Sequence, residues 1–374
     1  MHTDVIATPP PLPDPPLPPV PSAGPGAFDR SPVEYPFLFD GSAAEYFRIW
    51  IVNLALGILT LGIFSAWAKV RTQRYFYGNT RLAGVPFEYL ARPLPILKGR
   101  IIAVVLFAAY VIAGQYSIGL QLGLALLIAV LTPWLIVRGA AFRARYSSWR
   151  GLNFRFVSDY GEAYLRFLVL GIPLILTLGM LYPWVKGKQK EFIVESHRFG
   201  GSWFRFLLRP GQFYPPYLIA WGVITAWMFF VSFLMVGVVF ATLAVGGEKN
   251  GAPPAWLMIG MPILMYAGYF VVLAFLAAAI SNLIYNHVEI DGRRFRSTLK
   301  GHRLLWIYFS NTVAILASVG LLIPWAMVRL ARYRAECLSL VATDDFNGMR
   351  AESSGNVDAT AAEVDGLFDI DIGL

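Results

Sequence analysis

Three residues alternate in a way that could place metal ligands on one strand face, and these are His287, Glu289 and Asp291. Side chains two apart along a β-strand point to the same side, so one short strand could present all three. The same stretch continues with a Gly and then with Arg293 and Arg294, which is a tight-turn pattern followed by two cations that would repel a metal ion. The pattern therefore predicts a structural hairpin, and we expect neither a metal nor a cofactor.

Two carboxylates, Glu45 and Glu162, stand at equivalent places before apolar runs. A carboxylate in the first turn of a helix is stabilised by the helix dipole, so we interpret both as helix-start residues rather than as an acid–base pair. The chain contains no Gly-x-Ser-x-Gly, His-Glu-x-x-His or phosphate-binding glycine loop. We therefore expect no catalytic residues and no enzyme activity, and an intramembrane enzyme ranks third among the functions that the sequence leaves open.

The elements that must position any site are apolar to an unusual degree. Hydrophobic residues make up 57% of the 374 residues and charged residues only 14%, against about 45–50% and about 25% in soluble domains. Residues 101–137, 210–247 and 250–288 contain no charged side chain. Each stretch is longer than the roughly 20 residues that cross a bilayer. The composition predicts an all-α polytopic membrane protein.

One segment of the sequence occurs three times. Residues 37–87 align with 154–204 without a gap, and the run 58–62 recurs letter for letter at 175–179. A weaker third copy lies within residues 295–333, and each copy is an apolar run followed by Trp and a basic cluster. The boundaries follow from this alternation, with a Pro-rich tail before the membrane domain and an acidic tail after it. We predict repeats at 37–90, 151–206 and 289–335, transmembrane helical hairpins at 96–137 and 214–286, and disordered tails at 1–36 and 336–374.

A smaller unit recurs in the connectors, consisting of Gly, two residues and then Phe. It begins at Gly84, Gly151, Gly201 and Gly292. Glycine suits a tight turn, and aromatic residues two apart share a strand face. The unit predicts small β-hairpins between the helices, on the cytoplasmic side, and the whole remains all-α in class.

The basic clusters constrain the topology, because Lys and Arg are retained on the cytoplasmic side of bacterial membranes. If each repeat enters and leaves on that side, in the membrane plane or as a re-entrant segment, the chain has four spans and only Lys249 among its bases faces outward. Seven single crossings would instead export the bases of 185–213 and 285–303. We favour the first arrangement, with a cytoplasmic C-terminus.

The repeated motif also suggests a family. The residues Phe39-Asp40-Gly41, the Leu-Thr-Leu-Gly run and the stretch 67–75 resemble the YjgN-like family of bacterial inner-membrane proteins, over about residues 35–335. The resemblance implies a multi-pass protein of the bacterial inner membrane, and it implies no established activity. Met327 stands where the other copies have Lys69 and Lys186, so a shared role for that lysine does not extend to the third copy.

Two functions are compatible with these patterns. Polar side chains recur at depth in the apolar runs and could line a path for a small solute, or could serve helix packing: Asn53, Thr60, Thr177, Asn311 and Ser318. The repeated Trp and basic positions predict an interface belt: Trp67, Lys69, Arg71, Trp184, Lys186, Lys188, Trp325 and Arg329. We expect a transport or permeation protein first. The alternative is a non-transporting envelope scaffold that binds anionic lipid or partner proteins through its basic face.

The expected partners follow from charge and composition. Anionic lipid head groups match the basic face, while the Pro-rich and acidic tails could each bind a protein partner. The basic balance is explained by the membrane surface, so we do not expect nucleic-acid binding.

Overall fold

The computed structural model describes residues 32–246 and 255–343, and the structural statements below concern these residues. The predicted tails were 1–36 and 336–374, and of these residues 1–31 and 344–374 lie outside the described part, as does the turn of the second apolar hairpin at 247–254. Residues 33–36 and 338–342 of the predicted tails are strands. Helices make up most of the described chain, with a π-helical turn at Leu165–Val169 and a 3-10 turn at Pro210–Phe213. They are α1 (Ala43–Leu59), α2 (Ser65–Asn79), α3 (Pro93–Tyr116), α4 (Ile118–Arg145), α5 (Tyr160–Tyr164), α6 (Gly171–Leu176), α7 (Tyr182–Glu195), α8 (Tyr214–Gly246), α9 (Ala255–Tyr285), α10 (Gly301–Ala317) and α11 (Ile323–Glu336).

The described chain also contains ten short strands that form one closed antiparallel barrel. They are β1 (Val33–Phe39), β2 (Thr80–Leu82), β3 (Val85–Tyr89), β4 (Ser147–Trp149), β5 (Leu152–Phe156), β6 (His197–Phe199), β7 (Ser202–Phe206), β8 (Val288–Ile290), β9 (Arg293–Ser297) and β10 (Leu338–Ala342). Each strand pairs with its neighbours in sequence order, and β1 pairs with β10 to close the ring.

The predicted all-α class is therefore wrong. The four Gly-containing units do form hairpins, but these hairpins do not stay separate, because an isolated two-stranded hairpin is marginally stable and leaves unpaired edges. Strands that flank the same helices pair with each other, as β1 does with β2 and β3 with β4. All edges are thereby satisfied in one barrel.

The main core lies inside this barrel. Along β5 the residues Leu152, Phe154 and Phe156 point inward, while Asn153 and Arg155 are exposed. Equivalent inward residues of the other strands join one buried cluster that includes Phe37, Trp149, Phe199, Ile290 and Leu340. The Phe of each recurring unit, at 87, 154, 204 and 295, thus belongs to the lining of a barrel.

Each repeat folds as a helical hairpin that leaves the barrel and returns to it. The first copy, α1 and α2, stands between β1 and β2; the second, α5 to α7, between β5 and β6; the third, α10 and α11, between β9 and β10. Seven single crossings would place the strands flanking each repeat on opposite sides of a membrane, which one closed barrel excludes.

The remaining helices form two apolar pairs, α3 with α4 and α8 with α9. These four are long and apolar enough to cross a membrane. Between 6% and 22% of the most apolar part of each is buried. Each helix packs mainly on its own partner and on the adjoining repeat.

The connections give the barrel two distinct ends. All helices attach at one end, which we call the helix end. The four tight turns and the paired residues Val33 and Ala342 lie at the other, which we call the turn end. The two termini of the described chain therefore emerge side by side, away from the apolar helices.

Candidate membrane-binding surface

The three repeats present their most exposed apolar residues at their turns. Leu61, Leu178 and Val319 are 94%, 95% and 92% exposed. Neighbouring aliphatic residues, such as Leu59 and Leu176, are exposed as well. Each of the three turns thus exposes large aliphatic side chains. Exposed apolar surface of this kind is typical of a site that contacts a membrane or another protein. We call these segments, residues 58–63, 175–180 and 316–321, the tips.

The tips share one backbone construction. An aliphatic residue and then a glycine adopt positive φ in each: Leu61 and Gly62, Leu178 and Gly179, Val319 and Gly320. The glycine φ values of 89°, 87° and 90° fall where only glycine is unstrained. The amide of Gly62 donates to the carbonyl of Gly57 at 2.8 Å, and the other copies repeat this bond, which is the Schellman end of a helix. The Leu-Thr-Leu-Gly run therefore encodes a helix end that displays a leucine.

The hydroxyls predicted to line a polar path cap their own turns. Thr60 Oγ1 donates to the carbonyl of Leu56 at 2.7 Å and accepts from the amide of Phe64 at 2.9 Å. Thr177 Oγ1 donates to the carbonyl of Pro173 at 2.8 Å, and Ser318 Oγ to that of Ile315 at 3.2 Å. Each of the three hydroxyls thus bonds within its own copy, and the structure does not bring them to a shared path.

The two predicted asparagines lie inside the repeats. Asn311 Nδ2 donates to the carbonyl of Ala326 at 3.3 Å, and its Oδ1 accepts from Arg329 at 3.1 Å, so it joins α10 to α11. Asn53 is buried in α1, and its amide makes no hydrogen bond among the described residues. Among the described residues, neither asparagine hydrogen-bonds to Thr60, Thr177 or Ser318.

The predicted belt residues follow each tip in a fixed order. In copy one, Trp67 stacks on Phe64 with ring centroids 6.0 Å apart, and the exposed Arg71 lies over the same Phe64 ring at 5.4 Å. Lys69, between them in the sequence, is half-buried. With a rise of 1.5 Å per residue, Lys69 and Arg71 lie about 9–12 Å along the helix from Ile63. Apolar tip, aromatic ring and cations succeed one another toward the barrel.

Copy two builds the same order around an ion-pair network that sequence reasoning missed. Trp184 and Lys186 are half-buried early in α7. Lys188 Nζ lies 2.9 Å from Glu191, which also accepts from Arg166 at 2.8 Å, while Glu162 is a further partner of Arg166. Burial alone would raise the pKa of Glu191, but the hydrogen bonds from Lys188 and Arg166 outweigh it and hold that pKa below its ordinary value. These bonds tie the two arms of the hairpin together.

In copy three, the position of Lys69 and Lys186 makes a contact with copy one instead of carrying a charge. Met327 replaces the lysine, and the hydroxyl of Tyr46 in α1 lies 3.6 Å from the Met327 sulfur. Helices α1 and α11 pack together, so this position joins copy three to copy one. The other belt residues persist, with Arg329 over the Trp325 ring at 5.1 Å.

Contacts with the apolar helices place the starts of α2 and α7, which follow the first two tips, near one end of those helices. Arg100, in the second turn of α3, hydrogen-bonds to Ser65 at the start of α2. The rings of Tyr182 and Tyr217 make the equivalent contact in copy two, with centroids 5.4 Å apart. The helix starts that follow the tips of copies one and two therefore lie beside the second turn of α3 and the first turn of α8, short of the middles of these two helices.

The four apolar helices and the three apolar tips define a membrane protein whose helices are attached to a closed barrel. The chain belongs to the family described as "Bacterial protein of unknown function (DUF898)", whose model matches residues 34–367.

Among curated relatives, the chain is 25% identical over 346 residues to "Inner membrane protein YjgN" of Salmonella typhimurium, covering 80% of this chain and 86% of that protein. It is 31% identical to the Escherichia coli O157:H7 protein of the same name over 148 residues, or 38% of this chain and 36% of that protein. The predicted YjgN-like resemblance and inner-membrane location are thereby confirmed. No solved structure shows significant similarity.

Proposed function

We propose that this protein binds one leaflet of the bacterial inner membrane through its three repeats and holds the barrel against anionic head groups there. The observation that carries the proposal is the repeated order of exposed aliphatic tip, tryptophan and cations. An interfacial helix buries its apolar face about 5–10 Å below the head groups, and the upper end of this range overlaps the distance of about 9–12 Å from tip to cations.

The basic side chains supply the lipid preference. Each Lys or Arg near an anionic surface contributes about 1 kcal/mol of attraction. The cations of the repeats point the barrel toward the cytoplasmic leaflet, because positive charge is retained there. Both described termini leave from the turn end of the barrel, so a cytoplasmic C-terminus belongs to this proposal, as do four spans formed by α3, α4, α8 and α9.

Conduction of a small solute, which the sequence favoured first, receives less support. A permeation path needs polar groups that converge, whereas Thr60, Thr177 and Ser318 each bond within their own turn. The apolar pairs are also mostly exposed, so they do not enclose a channel within the part of the chain that the structure describes.

A depth measurement tests the proposal. In a Cys337→Ser background, a nitroxide is attached at Leu61→Cys, and the control label is placed at Leu38→Cys on the outer barrel surface. In phosphatidylglycerol-containing liposomes, we expect the Leu61 label to be reached by oxygen and shielded from a water-soluble nickel chelate, with the reverse at Leu38. Equal access of the chelate to both labels would overturn the proposal.

Lipid preference is tested by matched charge removal. The double variant Lys69→Gln, Arg71→Gln should enrich phosphatidylglycerol over phosphatidylcholine less than the wild-type protein does. The control double variant Arg155→Gln, Arg198→Gln removes the same charge from the outer barrel and should keep the wild-type enrichment. Equal loss in both variants would assign the preference to net charge and contradict a role for the repeats.

A further inference from the structure

The barrel interior contains a complete circuit of aromatic side chains. Centroids of neighbouring rings are 4.8–6.5 Å apart all the way around. In order, the rings are those of Phe37, Phe87, Trp149, Phe199, Phe154, Phe204 and Phe295, and the last returns to the first. The circuit surrounds the barrel axis.

The axis itself is open. A cavity of about 250 Å³ lies within the circuit, and its lining is almost wholly apolar, including Ile290, Leu338 and Leu340. An eight-stranded barrel is just filled by its own side chains, so ten strands leave space that these rings do not occupy. An apolar cavity offers water no hydrogen-bond partners and favours an apolar occupant.

The first cavity has a neighbour on the side of the helix end. A second cavity of about 380 Å³ shares Phe37, Phe87 and Leu338 with the first, and it extends between the ends of α2 and α11 to Tyr77 and Arg334. Arg334 is exposed. Among the described residues, its guanidinium donates one long hydrogen bond, of 3.4 Å, to the Tyr308 hydroxyl. The apolar lumen therefore has a cationic mouth on the side where the apolar helices attach.

We propose that the lumen binds the alkyl chain of an anionic amphiphile, which enters from the helix end and leaves its charged head beside Arg334. The apolar lining selects the chain, the ring circuit sets its width, and the guanidinium pairs with a carboxylate or phosphate. The site goes beyond leaflet binding, although it rests on that proposed function for placing the mouth at the lipid surface.

The chain could come from a free fatty acid or from a phospholipid, and photolabelling distinguishes the two. Full-length protein in liposomes is irradiated with palmitic acid carrying a terminal diazirine, or with phosphatidylglycerol carrying the diazirine on one acyl chain. Labelled peptides are mapped by mass spectrometry. We expect label on lumen peptides containing Phe87 or Phe295, and the probe that delivers it identifies the source.

Filling the lumen provides the decisive comparison. Leu338→Trp, where both cavities meet, should reduce lumen labelling several-fold, while the matched change Leu38→Trp on the exposed face of β1 should leave it unchanged. Label confined to the apolar helices and tips, or lumen label equal in both variants, would overturn the site.

A second variant keeps the test valid if Leu338→Trp does not fold. Arg334→Gln should weaken labelling by the fatty acid and spare labelling by the uncharged alcohol of the same chain; equal loss with both, or no loss, would contradict the cationic mouth. The depth of the Leu61 label is measured independently, so an empty lumen with a buried tip would reject this inference and leave leaflet binding intact.

Discussion

At the scale of single residues, the outer barrel surface contains a like-charge contact. Arg155 lies directly opposite Arg198 on the neighbouring strand, and Arg198 stacks on Trp203 with its guanidinium carbon 3.1 Å from the ring centroid. Burial lowers the pKa of Arg198, and repulsion from Arg155 lowers it further. Copy one has no like-charge repulsion at the equivalent position. Leu38 lies opposite Arg81 there, and Arg81 forms an ion pair with Asp40 at 3.0 Å.

Replacing Arg155 with the residue of copy one should therefore stabilise the barrel. We expect Arg155→Leu to raise the free energy of unfolding by about 0.2–1 kcal/mol, since like charges directly opposite in a sheet are destabilising. Denaturation in detergent measures the change. The control Arg205→Leu removes a cation that lies opposite Glu289, so it should give no gain. A similar gain in both variants would attribute the effect to hydrophobicity alone.

His197 gives the barrel a dependence on pH. It points inward from β6, with its ring against Phe156, and Nδ1 lies 2.6 Å from the carbonyl of Ile193. Burial lowers the pKa of His197, the Ile193 hydrogen bond opposes this, and the nearby Arg143 adds to the lowering. The folded protein therefore favours the neutral ring.

The sign of the pH effect follows from that preference. Above the ordinary histidine pKa of about 6.5, the ring is neutral in both the folded and the unfolded chain, so His197 does not make the free energy of unfolding depend on pH there. As the pH falls below this value the unfolded chain binds the proton first, so stability is lost until the pH passes the lowered folded pKa. Melting curves from about pH 7.5 to about pH 5 should show the loss, and His197→Phe should remove this part of it. Arg143→Gln should reduce it only in part, because burial is the larger cause; an unchanged profile in His197→Phe would refute the assignment.

At the scale of elements, the tip turns depend on glycine conformation. An added Cβ at Gly62 or at Gly57 would meet no atom within 4 Å, so space does not distinguish the two positions. Gly57 lies inside α1, whereas Gly62 has a φ of 89°. We expect Gly62→Ala to destabilise by about 1–2 kcal/mol and Gly57→Ala to stabilise by about 0.5–1 kcal/mol. Thermal unfolding in detergent compares them, and equal shifts would show that the turn conformation is not retained.

Local signals explain which elements the sequence could reveal. The Asp291-Gly292 pair adopts positive φ at both residues, as a two-residue hairpin turn requires, so that hairpin is encoded within a few residues. The tip glycines belong to a run that repeats letter for letter. The ion pair of Arg166 with Glu191 has no such local signal, because Glu191 lies in another helix of the repeat, 25 residues further along the chain.

At the scale of the whole molecule, closure of the barrel had no local signal. It depends on β1 pairing with β10 across almost the entire described chain. Neither strand contains the Gly-x-x-Phe unit, and Pro36 lies within β1, where proline argues against a central strand. The proline is tolerated where β1 changes partner, because residues 33–36 pair with β10 and 37–39 pair with β2. The hairpins were therefore predictable as separate pieces, while their assembly into a ring was not.

Closure also makes the molecule sensitive to the loss of β1. Deleting residues 1–31 leaves every described strand in place, so we expect a monodisperse protein with an unchanged melting temperature. Deleting residues 1–40 removes β1 together with Phe37, whose ring stacks on Phe87 and Phe295, and it leaves β2 and β10 as unpaired edges. Because unpaired edges template association and the aromatic circuit is broken, we expect aggregation on gel filtration and rapid proteolysis of the remaining strands. A longer deletion that stayed monodisperse and protease-resistant would show that the barrel does not need to close.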